Sequence, residues 1–133
     1  MEYLFLYGTL MRNFPENPFR LLLERNTSYV GEAYTYGKLF LVDYYPALVS
    51  NSAIENHKVY GEVVRIENNT DLLEQLDEYE DYFPENVIHS LYIRKLTECF
   101  LIGNKESVKC NAYFYNKSVK NLIFLRDGHF FLS

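Results

Sequence analysis

Apolar positions fall in three patterns along this chain, and each predicts a different kind of element. The opening "EYLFLY", Glu2 to Tyr7, is an almost unbroken apolar run, which predicts a short strand buried on both faces. Looser alternation follows: "SYVGEAYTYG", "KLFLVDYYPALV" and "HKVYGEVVRIE" read as strands, with Gly31 and Gly37 marking a bulge or corner and Gly61 interrupting the third. "VIHSLYIRKLTECFLIG" and "SVKCNAYFYN" predict a hairpin across "GNKE", and "NLIFLRDGHFFLS" is a short tail.

Helical spacing appears twice. In "ENPFRLLLERN", Asn17 is the expected N-cap, Pro18 the first helical position, and Leu21, Leu22 and Leu23 the buried side. "NNTDLLEQLDEYEDY" is the clearer helix, with Asn69 or Thr70 as cap and Asp71 and Glu74 where the dipole favours negative charge. Short strands, glycine corners and few helices predict an α+β domain with a curled or closed sheet. A length of 133 residues suits one domain, 1–133, with one core.

The second helix carries one carboxylate in the wrong place. Projected from Leu72, Leu76 falls at about 40°, Leu73 at about 100° and Tyr79 at about 340°, so the apolar stripe is centred on Leu76. Asp71, Glu74, Glu78 and Asp81 lie well away from it, and Asp77 sits on its border. Glu80 alone, at about 80°, falls inside the stripe. An ionised carboxylate is costly to bury without partners. Three readings fit: the helix has frayed and Glu80 is solvated, Glu80 forms a buried salt bridge with Arg94, or Glu80 sits in a part-apolar pocket with its pKa raised. The third is what a general base near neutral pH requires. The helix C-terminal carbonyls and the charge of Asp81 push in the same direction.

Composition narrows the classes. Hydrophobic residues make up 48% of the chain, enough for a packed interior, and 13 Tyr and 10 Phe favour strands and half-buried walls. A formal net charge of -5 argues against nucleic-acid and anionic-membrane partners. No apolar run is long enough to span a bilayer, and the opening lacks the basic start of a signal peptide, so a cytoplasmic protein is expected. Cys99 and Cys110 lack metal-site spacing and read as a reduced structural pair. His57 and His89 fall in polar turns and are expected to be solvated, and no histidine pattern suggests a metal.

Four segments in order then resemble a known family. "YGTL" at the exit of the first strand, "GEAYTYGKLFLVDYYPALV", "VYGEVV" and "LDEYEDYFPENVIHSLYIRKL" are similar to the gamma-glutamylcyclotransferase-like proteins, in the branch of gamma-glutamylamine cyclotransferase and the AIG2-like proteins. The resemblance runs from Tyr3 to about Tyr115 and extends toward "RDGHFF". It implies a small mixed barrel of strands with a few short helices. It also implies an intramolecular reaction in which the α-amine of a gamma-glutamyl compound attacks its own side-chain carbonyl. The products are 5-oxoproline and a free amine or amino acid. Such a reaction needs no protein nucleophile, metal or cofactor, only a small-molecule substrate folded into a near-attack ring.

The same resemblance implies the site residues. The last residue of "LDxxE" is the family's acid/base glutamate, here Glu80. The "YGxL" turn lines the family pocket with backbone N–H groups, which maps onto Tyr7, Gly8, Thr9 and Leu10. Gly8 lets the main chain approach a ligand and adopt positive φ. Tyr115 resembles a strand tyrosine near the family pocket, although a core tyrosine with a satisfied hydroxyl fits equally well. Tyr92 and Arg94 match a family "YxR" and read as structural, with Arg94 tying the helix end to the sheet. The family usually has glycine after the glutamate; here Asp81 stands there, so a different helix exit is expected. "DYFPENVIHSLY" is expected to border the pocket. Retention of these motifs favours the cyclotransferase over the alternative, a binding module that holds a small ligand in the same pocket without turnover.

Overall fold

The computed structural model describes residues 1–50 and 56–130. Phe131, the last residue of "RDGHFF", lies outside them. The elements in chain order are β1 (Glu2–Leu6), α1 (Arg20–Asn26), β2 (Thr27–Val42), β3 (Tyr45–Ser50), β4 (Lys58–Ile66), α2 (Leu72–Tyr79), β5 (Tyr92–Leu101), β6 (Ser107–Tyr115) and β7 (Ile123–Phe124). A 3-10 turn at Val87–His89 precedes β5.

Strands β2, β4, β1, β6 and β5 are hydrogen-bonded in that order, and β5 pairs back onto β2, closing a five-stranded barrel. The β1–β6 pairing is parallel and the others are antiparallel, so the barrel is mixed. Strands β3 and β7 add to the far end of β2. This is the α+β architecture with a closed sheet that the sequence predicts.

The unbroken apolar run of β1 is explained by its two neighbours. Phe5 joins a cluster with Val59, Val63, Ala112 and Phe114 on one face. Leu4 and Leu6 join Leu72, Leu73 and Leu76 of α2 on the other. At Gly61, opposite the end of β1, a Cβ would overlap the Leu6 carbonyl.

Four expectations need correction. "SYVGEAYTYG" and the start of "KLFLVDYYPALV" form one strand of 16 residues; Gly31 marks a bulge, but the strand continues through Gly37. Helix α1 starts at Arg20 rather than Pro18, because Asn17 instead closes a turn, accepting from the Phe19 N–H at 2.9 Å and donating to the Met11 carbonyl at 3.1 Å. Three consecutive leucines spread around a helix cannot share one face; Leu23 is buried and Leu21 is 63% exposed. His57 is half-buried with its ring edge on Phe124, whereas His89 is exposed.

Cys99 and Cys110 are free and fully buried on the paired strands β5 and β6. The Cys110 thiol beside it, together with burial, holds the Cys99 thiol far above its ordinary pKa, so it stays protonated. No helix among the described residues is long and apolar enough to cross a membrane.

Candidate active site

A cavity of about 490 Å³ opens where the exit of β1, the end of α2 and the starts of β3 and β5 converge. Tyr7, Gly8, Thr9 and Leu10 form one wall, Glu80 and Asp81 another, and Tyr45, Pro46, Tyr92 and Tyr113 close the rest. Residues far apart in sequence meet here because β1 pairs with β4 and β6 while α2 packs its leucines on β1.

Glu80 is the C-terminal cap of α2, and its N–H donates to the Leu76 carbonyl at 2.9 Å, so the helix has not frayed at this position. Its side chain stands at the cavity wall. No donor among the described residues bonds the carboxylate. Burial, with the Asp81 charge second, raises its pKa from 4.5 to about 7.

Of the three readings of Glu80, the salt bridge to Arg94 is not formed: Arg94 pairs with a different carboxylate. Asp77, one turn before Glu80, accepts from Arg94 Nε at 2.8 Å and Nη2 at 3.2 Å, and from the Tyr113 hydroxyl at 2.6 Å. Arg94 Nη1 donates on to Asn111 Oδ1 at 3.0 Å, and Asn111 Nδ2 to the Tyr3 carbonyl at 3.1 Å. Arg94 thus ties the helix to the sheet. With the guanidinium committed to Asp77, Glu80 keeps an unpaired carboxylate.

The helix exit also differs from expectation. Asp81 takes the left-handed conformation itself, φ 54°. Its N–H donates to the Glu78 carbonyl at 3.2 Å, and the Tyr82 N–H to the Asp77 carbonyl at 2.9 Å. That is the Schellman pattern that glycine usually makes. The aspartate therefore preserves the exit and adds a charge beside Glu80.

The opposite wall offers donors. Among the described residues, no protein acceptor takes the backbone N–H of Gly8, Thr9 or Leu10. Gly8 does not adopt positive φ, contrary to expectation. It is required because a Cβ there would overlap the Pro46 ring. The loop is anchored beyond this point: the Met11 N–H donates to the Gly8 carbonyl at 3.0 Å, and the Arg12 N–H to Glu62 Oε1 at 2.6 Å. Tyr7 donates its hydroxyl to the Tyr113 carbonyl at 2.5 Å, and Thr9 Oγ1 lies 3.4 Å from the Tyr79 hydroxyl.

Two tyrosines exchange the places the sequence suggests. Tyr115 is not among the cavity-lining residues; its ring packs edge-on against Tyr92, centroids 5.4 Å apart. Tyr92 is the one that lines the cavity, with its hydroxyl donating to the Pro46 carbonyl at 2.6 Å. Glu62 is missed by the sequence reading altogether. Its signal is an acid in the middle of the apolar β4 segment, where it is only 4% exposed. Of the expected pocket-bordering loop, Asp81, Leu91 and Tyr92 reach the cavity. Among the described residues, no group of His, Cys, Asp or Glu could hold a metal. The cavity therefore sets one proton acceptor poised near neutrality against a row of free backbone donors, with aromatic walls between them.

Residues 4–131 match the profile of the family described as gamma-glutamyl cyclotransferase, AIG2-like. The fold is similar to the crystal structure of a mouse AIG2-like protein, 23% identical with a TM-score of 0.72 over 95% of this chain and 86% of that one. It is also similar to the solution structure of an Arabidopsis thaliana protein, 24% identical with a TM-score of 0.65 over 92% of this chain and 74% of that one. An uncharacterized Pyrococcus horikoshii protein is 18% identical with a TM-score of 0.61, over 98% and 90% of the two chains. No curated protein sequence matches significantly.

Proposed function

The chain belongs to the gamma-glutamyl cyclotransferase, AIG2-like family, and on that premise we propose that it converts a gamma-glutamyl compound into 5-oxoproline, with Glu80 as the acid/base group. The single observation that carries this reading is the unpaired carboxylate of Glu80 in the cavity wall, with a pKa raised to about 7. A general base works best when its pKa lies near the operating pH.

In this mechanism the ionised Glu80 takes a proton from the substrate's α-ammonium. The freed nitrogen attacks the γ-carbonyl carbon of the same molecule and closes a five-membered ring. The oxyanion that forms points to the backbone N–H groups of Gly8, Thr9 and Leu10, which have no competing acceptor among the described residues. The bond to the leaving nitrogen then breaks as Glu80 returns its proton to that nitrogen, and the ring nitrogen passes its own surplus proton through Glu80 to the released amine, which departs as an ammonium. Atoms balance without water, metal or covalent enzyme intermediate. The cavity's part is to fold the substrate into a near-attack ring.

The outer wall favours an amine over an amino acid as leaving group. Glu16, Asp81 and the rings of Phe14, Tyr44 and Tyr79 line it, and no basic side chain does so among the described residues. A departing amino acid would bring a carboxylate against this acidic rim, whereas a cationic amine is attracted to carboxylates and ring faces alike. The test is 5-oxoproline release from a panel of gamma-glutamyl amines and gamma-glutamyl amino acids by wild type and Glu80→Gln. Release by wild type that disappears in the variant supports the reading. Folded wild type that turns over nothing makes the protein a non-catalytic binder of small ligands.

A further inference from the structure

Tyr92 stands at the start of β5, lines the same cavity as Glu80, and is only 4% exposed. Its hydroxyl has a single proton, and that proton is spent: Oη donates to the main-chain carbonyl of Pro46 at 2.6 Å. A phenol that has donated its proton has only lone pairs left to offer. Burial, with the nearby groups of Tyr7, Glu80, Tyr45 and Tyr115 adding to it, holds the Tyr92 pKa far above its ordinary value. Tyr92 is therefore neutral at every pH the protein meets, and it is a fixed acceptor rather than a base.

Tyr7 is committed in a similar way, donating to the Tyr113 carbonyl at 2.5 Å. The Leu48 backbone N–H, however, lies near the Tyr7 oxygen and works against the rise of its pKa. Tyr92 has no such competitor among the described residues. Its acceptor capacity is thus free, and unlike the Tyr113 hydroxyl, which is turned to Asp77, its proton is held by a main-chain carbonyl. Glu80, when ionised, is acceptor-only as well. This end of the cavity is built to receive donors, and the opposite end, with the N–H groups of Gly8 to Leu10, is built to receive acceptors.

We infer that Tyr92 Oη accepts a hydrogen bond from the α-ammonium of the ligand, beside Glu80, and so selects ligands that carry a free α-amine. The inference rests on the gamma-glutamyl reading of this cavity. Its consequence is orientation. An ammonium bonded to Glu80 alone can rotate about that one contact. A second acceptor fixes which N–H faces the carboxylate, and so where the nitrogen lone pair points once the proton has left. An N-acylated ligand, or one without the amine, offers nothing that both acceptors can bind.

The experiment compares binding of L-glutamate and of glutarate, its counterpart without the amine, to wild type and to Tyr92→Phe by calorimetry. Phenylalanine keeps the ring and removes only the oxygen. L-glutamate is expected to bind wild type more tightly than glutarate does. The variant should lose about tenfold or more for L-glutamate, as a hydrogen bond to a charged group implies, with glutarate unchanged within about twofold. The glutarate arm absorbs any general effect of losing the bond to Pro46. An equal loss for both ligands, or no loss for either, overturns the inference and leaves the gamma-glutamyl reading standing. A wild type that binds neither ligand and releases no 5-oxoproline removes both together.

Discussion

Asp81 holds the left-handed turn directly after Glu80, at φ 54°, and its charge adds to the burial that lifts the Glu80 pKa to about 7. One residue thus shapes both the aim and the proton affinity of its neighbour. The two roles separate in Asp81→Gly. Glycine accepts the same φ without strain and carries no charge. The exit is retained, and the Glu80 pKa falls from its raised value because one of its two causes is removed. The acid limb of the pH dependence of kcat/KM should move to lower pH. Stability should change by at most about 1 kcal/mol, because relief of left-handed strain is offset by the larger backbone entropy of glycine. A pH–rate profile and a urea titration of the two proteins check both halves.

Glu80 also imposes a pH dependence on folding whose sign is fixed. Its pKa is about 7 in the folded protein against 4.5 for an ordinary carboxyl, so the folded state binds the proton more tightly. The stability that protonated Glu80 contributes is fully present below pH 4.5 and is lost as pH rises through about 7. Glu80→Gln keeps the neutral form at every pH. The variant should match wild type near pH 4 and exceed it at pH 8, by about 2–3 kcal/mol at most. Urea unfolding at the two pH values measures the gap. Parallel pH dependence in both proteins would mean that the carboxylate is solvated when folded.

How far the sequence disclosed this site depended on whether a residue's signal was local. Glu80 was legible because one helix turn suffices to show a carboxylate on an apolar face. β1 was legible because an unbroken apolar run has to be covered on both sides, here by the barrel interior and by α2. The length of β2 was not legible. Glycines read as strand ends because they weaken a strand, yet a strand shared by four partners has to bend and twist along its length. Nor could the sequence say which of Asp77 and Glu80 would take Arg94, because that depends on the register that sets Arg94 opposite Tyr113. The same limit hid Glu62 and gave Tyr92 a purely structural reading. Their roles come from residues 46 and 50 positions away in the chain.

The Asp77–Arg94 pair should dominate the energetics of the helix–sheet contact. Asp77 accepts three bonds, from Arg94 and Tyr113, and its side chain is only 12% exposed. Arg94→Met removes two of those bonds and leaves a carboxylate with Tyr113 alone. Breaking one side of such a pair costs about 2–4 kcal/mol, mainly through the uncompensated charge. Adding Asp77→Asn should recover a large part of the loss, because the stranded charge is gone. A double-mutant cycle by urea unfolding measures this. Simple additivity of the two single losses would show that the pair contributes only as separate packing groups.

Glu62 should matter to catalysis without touching the substrate. It lies opposite Leu6 in the β1–β4 register, and its Oε1 receives the Arg12 N–H at 2.6 Å. Strand β4 thereby holds the loop that leaves β1, and with it the free N–H groups of Gly8 to Leu10. Glu62→Ala leaves the Arg12 N–H without its acceptor, at about 1–3 kcal/mol of stability. The loop can then shift away from the cavity. KM should rise more than kcat falls, and the Arg12 amide should exchange faster with solvent. Glu62→Gln keeps an oxygen for the same N–H and should stay close to wild type on both measures. If the glutamine variant failed as badly as the alanine one, the loop would instead depend on the charge that faces Arg12 Nε at 3.5 Å. The backbone bond would then be secondary to the ion pair.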